Sequence, residues 1–176
     1  DYFTDEEIEL VRDANQIDKR IAVLVKAIDR RFLVINKDNS QAKQIEKDSD
    51  KWGELPSGTR LELLTDISQI LQKAIDDIDD LVARAELNER VSKSNVENDT
   101  DEVTKRIIKK NDEVFPRAVH DLADASRKYL PMLESLESGS TDQREKGVLQ
   151  RSIESCNMII EASTQIARPV DKKKKN

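Results

Sequence analysis

The sequence predicts an all-α protein, and more specifically an antiparallel up-and-down four-helix bundle with long helices. Charged residues make up 38% of the 176-residue chain and aromatic residues 3%, and it holds only four Gly and four Pro. That composition suits long helices better than a β protein with many turns. Apolar residues also recur at steps of three and four along four long segments. We expect residues 1–170 to form one helical domain and residues 171–176, rich in lysine, to be a disordered basic tail.

The first helix is predicted over residues 4–35. It opens with Thr4-Asp5-Glu6-Glu7, in which Thr4 and Glu7 can cap each other's backbone N–H groups as a capping box. Its apolar stripe consists of Ala14, Ile17, Ile21, Leu24, Ile28, Phe32 and Ile35. Because these residues keep one phase, we expect a single continuous helix.

A loop or a short helix is predicted near residues 36–58. Gly53, Pro56 and Gly58 are residues that interrupt helices, and they close this segment. Trp52 is the only tryptophan. We expect it to pack over one end of the bundle, because aromatic side chains chiefly contribute buried area; stacking on a ligand is the alternative.

The second helix is predicted to begin at Thr59, with Glu62 completing another capping box, and to fray over residues 91–94. Its stripe consists of Leu64, Ile67, Leu71, Ala74, Ile75, Ile78, Leu81, Val82 and Ala85.

The third helix is predicted to begin at Asp99 or Thr100 and to end at Gly139. Pro116 and Pro131 lie inside it. Since proline removes a backbone donor and clashes with the preceding turn, we expect kinks or a short break there.

The fourth helix is predicted to begin at Ser140 or Thr141 and to stop at Pro169. Its stripe carries Leu149, Ile153, Cys156, Ile160, Ser163 and Ala167.

Charge and chain chemistry exclude some functional classes. The formal net charge is −6, which argues against a general nucleic-acid binder, because phosphate contacts need a basic surface. The longest apolar run, residues 21–25, is too short to span a bilayer. A start at Asp1 rather than Met is typical of a processed, exported chain, and a cytoplasmic location is the alternative.

An acidic string on the second helix is the strongest chemical motif. Residues 76–80 read Asp-Asp-Ile-Asp-Asp, and Asp76 and Asp80 lie one turn apart on one face. Clustered carboxylates suit hard cations, so Asp76, Asp77 and Asp80 are candidate ligands for Mg²⁺ or Ca²⁺. The alternative is the solvated face of an amphipathic helix whose other face carries Ile75 and Ile78.

The same five residues resemble the aspartate-rich motif of the all-α prenyl-diphosphate and terpene synthases. In those enzymes the motif binds magnesium and the substrate diphosphate, so the resemblance implies a metal-assisted reaction. Those enzymes are much larger and carry a second acidic motif opposite the first, and this sequence contains no such partner motif.

Histidine and cysteine occur once each, as His120 and Cys156, and cannot form a typical zinc site. We interpret His120 as a partly exposed helical residue; a haem held by His120 with Met132 or Met158 is the alternative. Cys156 lies on the apolar stripe, which predicts a buried, inert thiol rather than a nucleophile.

The function expected from the sequence is a non-enzymatic structural or protein-interaction module, with no catalytic residue and no cofactor. Its partner would be another protein or a second copy of the chain. Lys172–Lys175 could add a weak, salt-dependent contact with an anionic surface. The alternative is a protein that binds a divalent metal, or an enzyme assisted by one, using the string at residues 76–80.

Overall fold

The structure is a computed structural model that describes residues 2–36, 50–94 and 102–169, without the side chains of residues 85–94 and 102–113. Within these ranges there is no strand, and the all-α prediction is confirmed. A helical turn covers residues 50–52. The longer helices are α1 (Asp5–Asp13), α2 (Ile17–Asn36), α3 (Arg60–Ser94), α4 (Glu102–Gly139) and α5 (Gln143–Thr164). None of the helices in the described ranges combines the length and apolar character that crossing a bilayer requires.

Helices α2 to α5 pack side by side, and each lies against two neighbours. α2 packs against α3 and α4, and α5 packs against the same two helices. In the described ranges α3 and α4 contact each other only slightly, although they follow one another in the chain. They therefore occupy opposite corners of the four-helix arrangement.

Each long helix runs opposite to the one before it, as predicted. The sequence did not predict which helices lie side by side. In the structure, two of the neighbouring pairs of helices are parallel. Along α2 and α4, Asp18 pairs with Arg117 at 3.8 Å and Asp29 with Lys128 at 2.8 Å, so the two helices run the same way. Since α3 opposes α2 and α5 opposes α4, α3 and α5 also form a parallel pair.

One apolar core joins the four long helices. Tyr129 of α4 illustrates the packing, because its hydroxyl donates to the carbonyl of Val25 at 2.9 Å and its ring centroid lies 5.3 Å from that of Phe32. The fully buried apolar residues of this core include Ile21, Leu24, Ile28, Leu64, Ile67, Ile70, Leu71, Leu122, Leu133 and Leu149. On α5 the buried stripe contains Ile159, whereas the predicted Ile160 is only half-buried.

The expectation of one continuous helix over residues 4–35 is wrong. The predicted capping box is present, with Glu7 N donating to the Thr4 hydroxyl at 3.3 Å and Thr4 N donating to the Glu7 carboxylate at 3.1 Å. However, α1 ends before Ala14, whose φ of −77° and ψ of 82° turn the chain back, so that α1 packs against α2. Arg20 Nε donates to the Ala14 carbonyl at 3.1 Å, which satisfies that carbonyl at the turn.

This turn brings Glu7 to two arginines near the end of α2. Glu7 Oε1 accepts hydrogen bonds from Arg30 Nη1 at 3.0 Å and from Arg31 Nη1 at 2.8 Å. All three side chains are buried, and Glu7 has no exposed surface. In a continuous helix Glu7 and Arg30 would lie about 35 Å apart. The ionic contact therefore requires the break between α1 and α2.

The remaining donors of Arg31 reach three further parts of the chain. Arg31 Nη2 donates to the carbonyl of Tyr2 at 2.6 Å, Nη1 donates to the carbonyl of Ala27 at 2.9 Å, and Nε donates to Asp66 on α3 at 3.3 Å. Burial raises the pKa of Asp66, and the nearby Arg31 charge opposes that rise. One side chain thus links the N-terminal segment, α2 and α3.

Arg30 holds the segment that precedes α3. Its Nη2 donates to the carbonyl of Gly53 at 3.2 Å and to that of Glu54. Trp52 is buried, with the Arg30 guanidinium carbon 5.5 Å and the Lys26 ammonium 4.9 Å from its ring centroid. The predicted packing role of Trp52 is confirmed. We name Glu7, Arg30 and Arg31 with these partners the arginine cluster.

The predicted start of the second long helix is confirmed. Of the kinks or short break predicted in the third, the break is absent, and the kinks stay a prediction. Thr59 N donates to the Glu62 carboxylate at 2.7 Å, and Glu62 N donates to the Thr59 hydroxyl at 3.3 Å. Helix α4 runs unbroken through Pro116 and Pro131. Pro131 lies in the part of α4 that packs against α2 and α5, and Pro116 directly precedes Arg117, which pairs with Asp18 of α2. Packing therefore maintains the helix at Pro131, where propensity alone would interrupt it.

The arginine cluster predicts a large effect of one neutral substitution. Glu7→Gln should lower the free energy of unfolding by about 3–5 kcal/mol, because it removes the charge that pairs with the buried Arg30 and leaves the buried Arg31 with Asp66 alone, at 3.3 Å. Urea denaturation of the variant and the parent measures this difference.

Glu9→Gln is the matched control, since Glu9 is 62% exposed and pairs with Arg12 one turn along the same helix. Its free energy of unfolding should stay within about 0.5 kcal/mol of the parent's. If Glu7→Gln were as stable as Glu9→Gln, the buried charges would not hold α1 in place.

Candidate functional site

Two of the four long helices continue past one end of the bundle. Near the start of α2, Arg20 pairs with Asp77 of α3 at 3.6 Å and Asp18 pairs with Arg117 of α4 at 3.8 Å. Beyond this level α3 continues to its end at Ser94, which is about 25 Å of further helix. Helix α4 begins at Glu102, about 22 Å before Arg117.

We name residues 79–94 and 102–116 the arm. α5 ends before it reaches the level at which α2 begins, since Ser163 in its last turn accepts a hydrogen bond at 3.3 Å from Nη2 of Arg127, which lies about 15 Å further along α4 than Arg117. The described ranges therefore place neither α2 nor α5 beside the arm. At its base Val82 is 37% exposed, so apolar surface is already accessible where the arm leaves the core.

The acidic string lies at the junction between the core and the arm. Asp76, Asp79 and Asp80 are exposed, and Asp76 accepts a hydrogen bond from Gln72 one turn earlier at 2.8 Å. Asp77 is buried instead. The candidate ligands thus divide between two faces of the helix, with Asp76 and Asp80 towards solvent and Asp77 towards α2.

Asp77 is paired with cations of the protein. Its Oδ1 lies 2.5 Å from Lys73 Nζ and 3.6 Å from Arg20 Nη1. Its Oδ2 is buried and has no hydrogen-bond partner among the described residues. Across those residues no group of three or more His, Cys, Asp or Glu side chains converges as a metal site would require. The metal role of Asp76, Asp77 and Asp80 stays a prediction.

His120 holds the segment that follows α5 against α4. Its Nε2 lies 2.8 Å from the carbonyl oxygen of Ile166, and because a carbonyl can only accept, Nε2 carries the proton. Its Nδ1 is buried without a hydrogen-bond partner in the described chain. The expectation of a partly exposed histidine is wrong, since only 7% of His120 is exposed.

The segment after α5 is also held by charge. Asp124 accepts hydrogen bonds from Arg168 at 2.7 and 3.2 Å and from Arg127 at 2.8 Å. These bonds, chiefly those from Arg168, lower the pKa of Asp124. Next to it, burial raises the pKa of Asp121. Charged side chains thus surround the end of the bundle from which the arm projects.

The residues of the haem alternative are not brought together. Met132 lies about 18 Å further along α4 than His120, where it packs at the edge of the core. Met158 is 54% exposed and lies in an open groove between α3 and α5. The groove has a volume of about 510 Å³ and is lined by Thr65, Ser68, Gln69, Gln72, Arg151, Glu154, Ser155 and Met158.

Cys156 is a buried thiol, as predicted. Burial raises its pKa from the ordinary value of 9.0 to about 11. Since the thiolate is the reactive form, this environment suppresses nucleophilic chemistry at neutral pH.

Two features of the structure were not predicted from the sequence, for different reasons. The stripe of the first helix predicted its apolar contacts but gave no sign that Glu7, already explained as a cap, would also be buried against Arg30 and Arg31. The arm follows from helix lengths, yet recognising it required the ends of α2 and α5 in space. The predicted basic tail, with Lys172–Lys175, lies outside the described residues.

No family model matches this chain, and neither a curated protein nor a solved structure matches it.

The raised pKa of Cys156 predicts a pH-dependent loss of stability. Between pH 9 and pH 11 the thiol ionises in the unfolded chain but stays protonated in the folded chain, so the free energy of unfolding falls as pH rises. A shift of about two units corresponds to a loss of about 2–3 kcal/mol over that window.

Cys156→Ala should lack this part of the pH dependence. Denaturant unfolding at half-unit steps from pH 8 to pH 11 compares the two chains, and other titrating groups act in both. The curve of the parent should fall more steeply than that of the variant, and parallel curves would contradict the burial argument.

Proposed function

We propose that this protein is a non-enzymatic helical module that binds a protein partner through the arm, residues 79–94 and 102–116. The observation that carries the proposal is the extension of α3 and α4 beyond α2 and α5 by about 22–25 Å. Below that level four helices bury each other's apolar faces. In the arm, the described residues provide only two helices.

The sequence of the arm supports a helical partner. Apolar residues recur along it at helical spacing, and they include Leu81, Val82 and Ala85 on α3, and Val103, Ile107 and Val114 on α4. Helices with one apolar side bind partners by laying that side against another helix or into a groove. Because an isolated pair of helices is only marginally stable in water, added helices would also stabilise the arm.

The charges of the arm favour a protein over a polyanion. Acidic residues such as Asp79 and Asp80 are balanced in number by basic ones such as Arg106 and Lys109, and the whole chain carries −6. A nucleic-acid surface would require a concentrated positive patch. Mixed charges around an apolar stripe are typical of the flanks of helix–helix contacts.

The test shortens the arm without touching the core. Removing residues 86–92 and 104–110 takes two turns from each helix, which shortens the arm by about 10 Å and keeps the stripe in phase. The immobilised parent and the shortened chain are each exposed to an extract of the source organism, and the captured proteins are identified by mass spectrometry. We expect the parent to retain a reproducible partner and the shortened chain to lose it.

A pair of point variants gives the matched control. Val82→Lys places a charge at the base of the arm, whereas Met158→Lys places the same charge on an exposed residue of the α3–α5 groove. Only the first should weaken capture. Capture that survives both Val82→Lys and the shortened arm would exclude the arm as the binding element, and light scattering of the parent alone shows whether the partner is a second copy.

The alternative function is the binding of Mg²⁺ or Ca²⁺ at Asp76, Asp77 and Asp80. One observation supports it, because Oδ2 of the buried Asp77 has no hydrogen-bond partner among the described residues. It predicts saturable heat on calorimetric titration with either ion, abolished when all three aspartates are changed to Asn. Equal heats for the parent and the triple variant would exclude this function.

A further inference from the structure

We propose that the partner of the arm is a second copy of this chain, and that the two arms overlap in opposite directions so that each fills the positions that the other leaves open. This choice of partner rests on the proposed function, which is binding through residues 79–94 and 102–116. Three observations carry it: the corners that α3 and α4 occupy, the directions in which they run, and the distribution of charge along the arm.

The arm leaves two corners of the four-helix arrangement open. In the core α3 and α4 occupy opposite corners, with α2 and α5 between them. The described chain places no helix at these two corners beyond the level of Arg117, because α2 begins there, and the segment after α5 reaches only His120 and Asp124. Since α3 and α4 contact each other only slightly in the described ranges, packing between them covers little apolar surface.

Apolar side chains are accessible where the arm begins. Val82 is 37% exposed, and Leu81, Val114 and Phe115 are half-buried. In the core, by contrast, Leu71 of α3 has no exposed surface, because α2 and α5 pack on both sides of that helix. Burying the arm to the same degree therefore requires two further helices, one at each open corner.

The arm of a second copy supplies two helices at the required corners and in the required directions. A twofold rotation about an axis across the arm moves its two helices from one diagonal of the arrangement to the other. The second copy's α3 then runs in the direction of α2, and its α4 runs in the direction of α5. The neighbour relations of the core thus continue through the paired arms, and the contact is the same for both copies, as a closed dimer requires.

Charge is separated along the length of the arm. The half near the core, residues 79–83 and 111–116, contains four acidic residues and no basic one. The half near the tip, residues 84–94 and 102–110, contains seven basic and three acidic residues. Residues 95–101, with three further acidic residues, lie outside the described ranges. Because paired arms run in opposite directions, the acidic half of each lies beside the basic half of the other, which is electrostatically complementary.

The lengths of the helices give the register of this contact. With an overlap of about 22–25 Å, Asp112 and Glu113 of one copy lie at the level of residues 104–107 of the other. Those residues include Lys105 and Arg106, and the twofold rotation makes the two copies of α4 neighbours. The same contact occurs twice in the dimer.

Two charge-reversal variants test this register. The base variant carries Asp112→Lys and Glu113→Lys, and the tip variant carries Lys105→Glu and Arg106→Glu. Either variant alone places like charges together at both contacts, so each should raise the dissociation constant of the dimer by about tenfold or more. An equimolar mixture restores opposite charges at both contacts of a mixed dimer and should return the dissociation constant to near that of the parent.

The measurement is the dimer fraction over a concentration series, by light scattering and sedimentation equilibrium, with circular dichroism to show that each variant is helical. Glu134→Lys with Glu154→Lys is the matched control, because it reverses two exposed charges on the core and should match the parent. Pairing of the arms is refuted if the parent is monomeric at every concentration, if the mixture is no stronger than the separate variants, or if the dimer survives shortening of the arm.

The proposed function is tested separately by the capture experiment. A monomeric parent whose capture from the extract still depends on the arm would refute the second copy as partner and leave the arm as the binding element for a different protein. Capture that survives shortening of the arm would exclude the proposed function itself.

Discussion

The carboxylate of Glu7, buried between Arg30 and Arg31, sets the arrangement of one end of this protein. Three charges are withdrawn from water at this point, and a buried charge is tolerated only when it is paired and hydrogen-bonded. The two guanidinium groups satisfy this condition jointly by reaching one Glu7 oxygen, backbone carbonyls of the N-terminal segment and of residues 53–54, and Asp66 on α3. The position of α1, the turn before α2 and the docking of Trp52 all follow from keeping these charges paired.

The opposite end of the bundle is organised differently. Apolar packing gives way there to separate polar contacts, with Asp77 beside Lys73 and Arg20, and His120 against the carbonyl of Ile166. These contacts position the start of α2 and the segment after α5, while α3 and α4 continue beyond them. The arginine cluster and the arm thus lie at opposite ends of the bundle.

The lateral order of the helices makes the extension possible in this form. The helices that extend are at opposite corners, and each packs along both α2 and α5. Their lower parts are therefore held by two neighbours each, so a load on the arm would be transmitted to the whole core. The core thus fixes the arm at its base, while the proposed partner would supply the packing that two helices alone lack further out.

The sequence by itself determined the helical class, the capping boxes at Thr4 and Thr59, and the buried positions of Ile21, Leu71 and Cys156, because these depend on local spacing and on the polarity of single residues. The tertiary structure decided the break at Ala14, the passage of α4 through Pro116 and Pro131, the burial of Glu7 and His120, and which helices became neighbours. Each of these is settled by groups far apart in the chain. A buried guanidinium group requires a carboxylate wherever the chain can supply one, and that requirement outweighs the continuous apolar stripe of residues 10–24, which favoured a single helix.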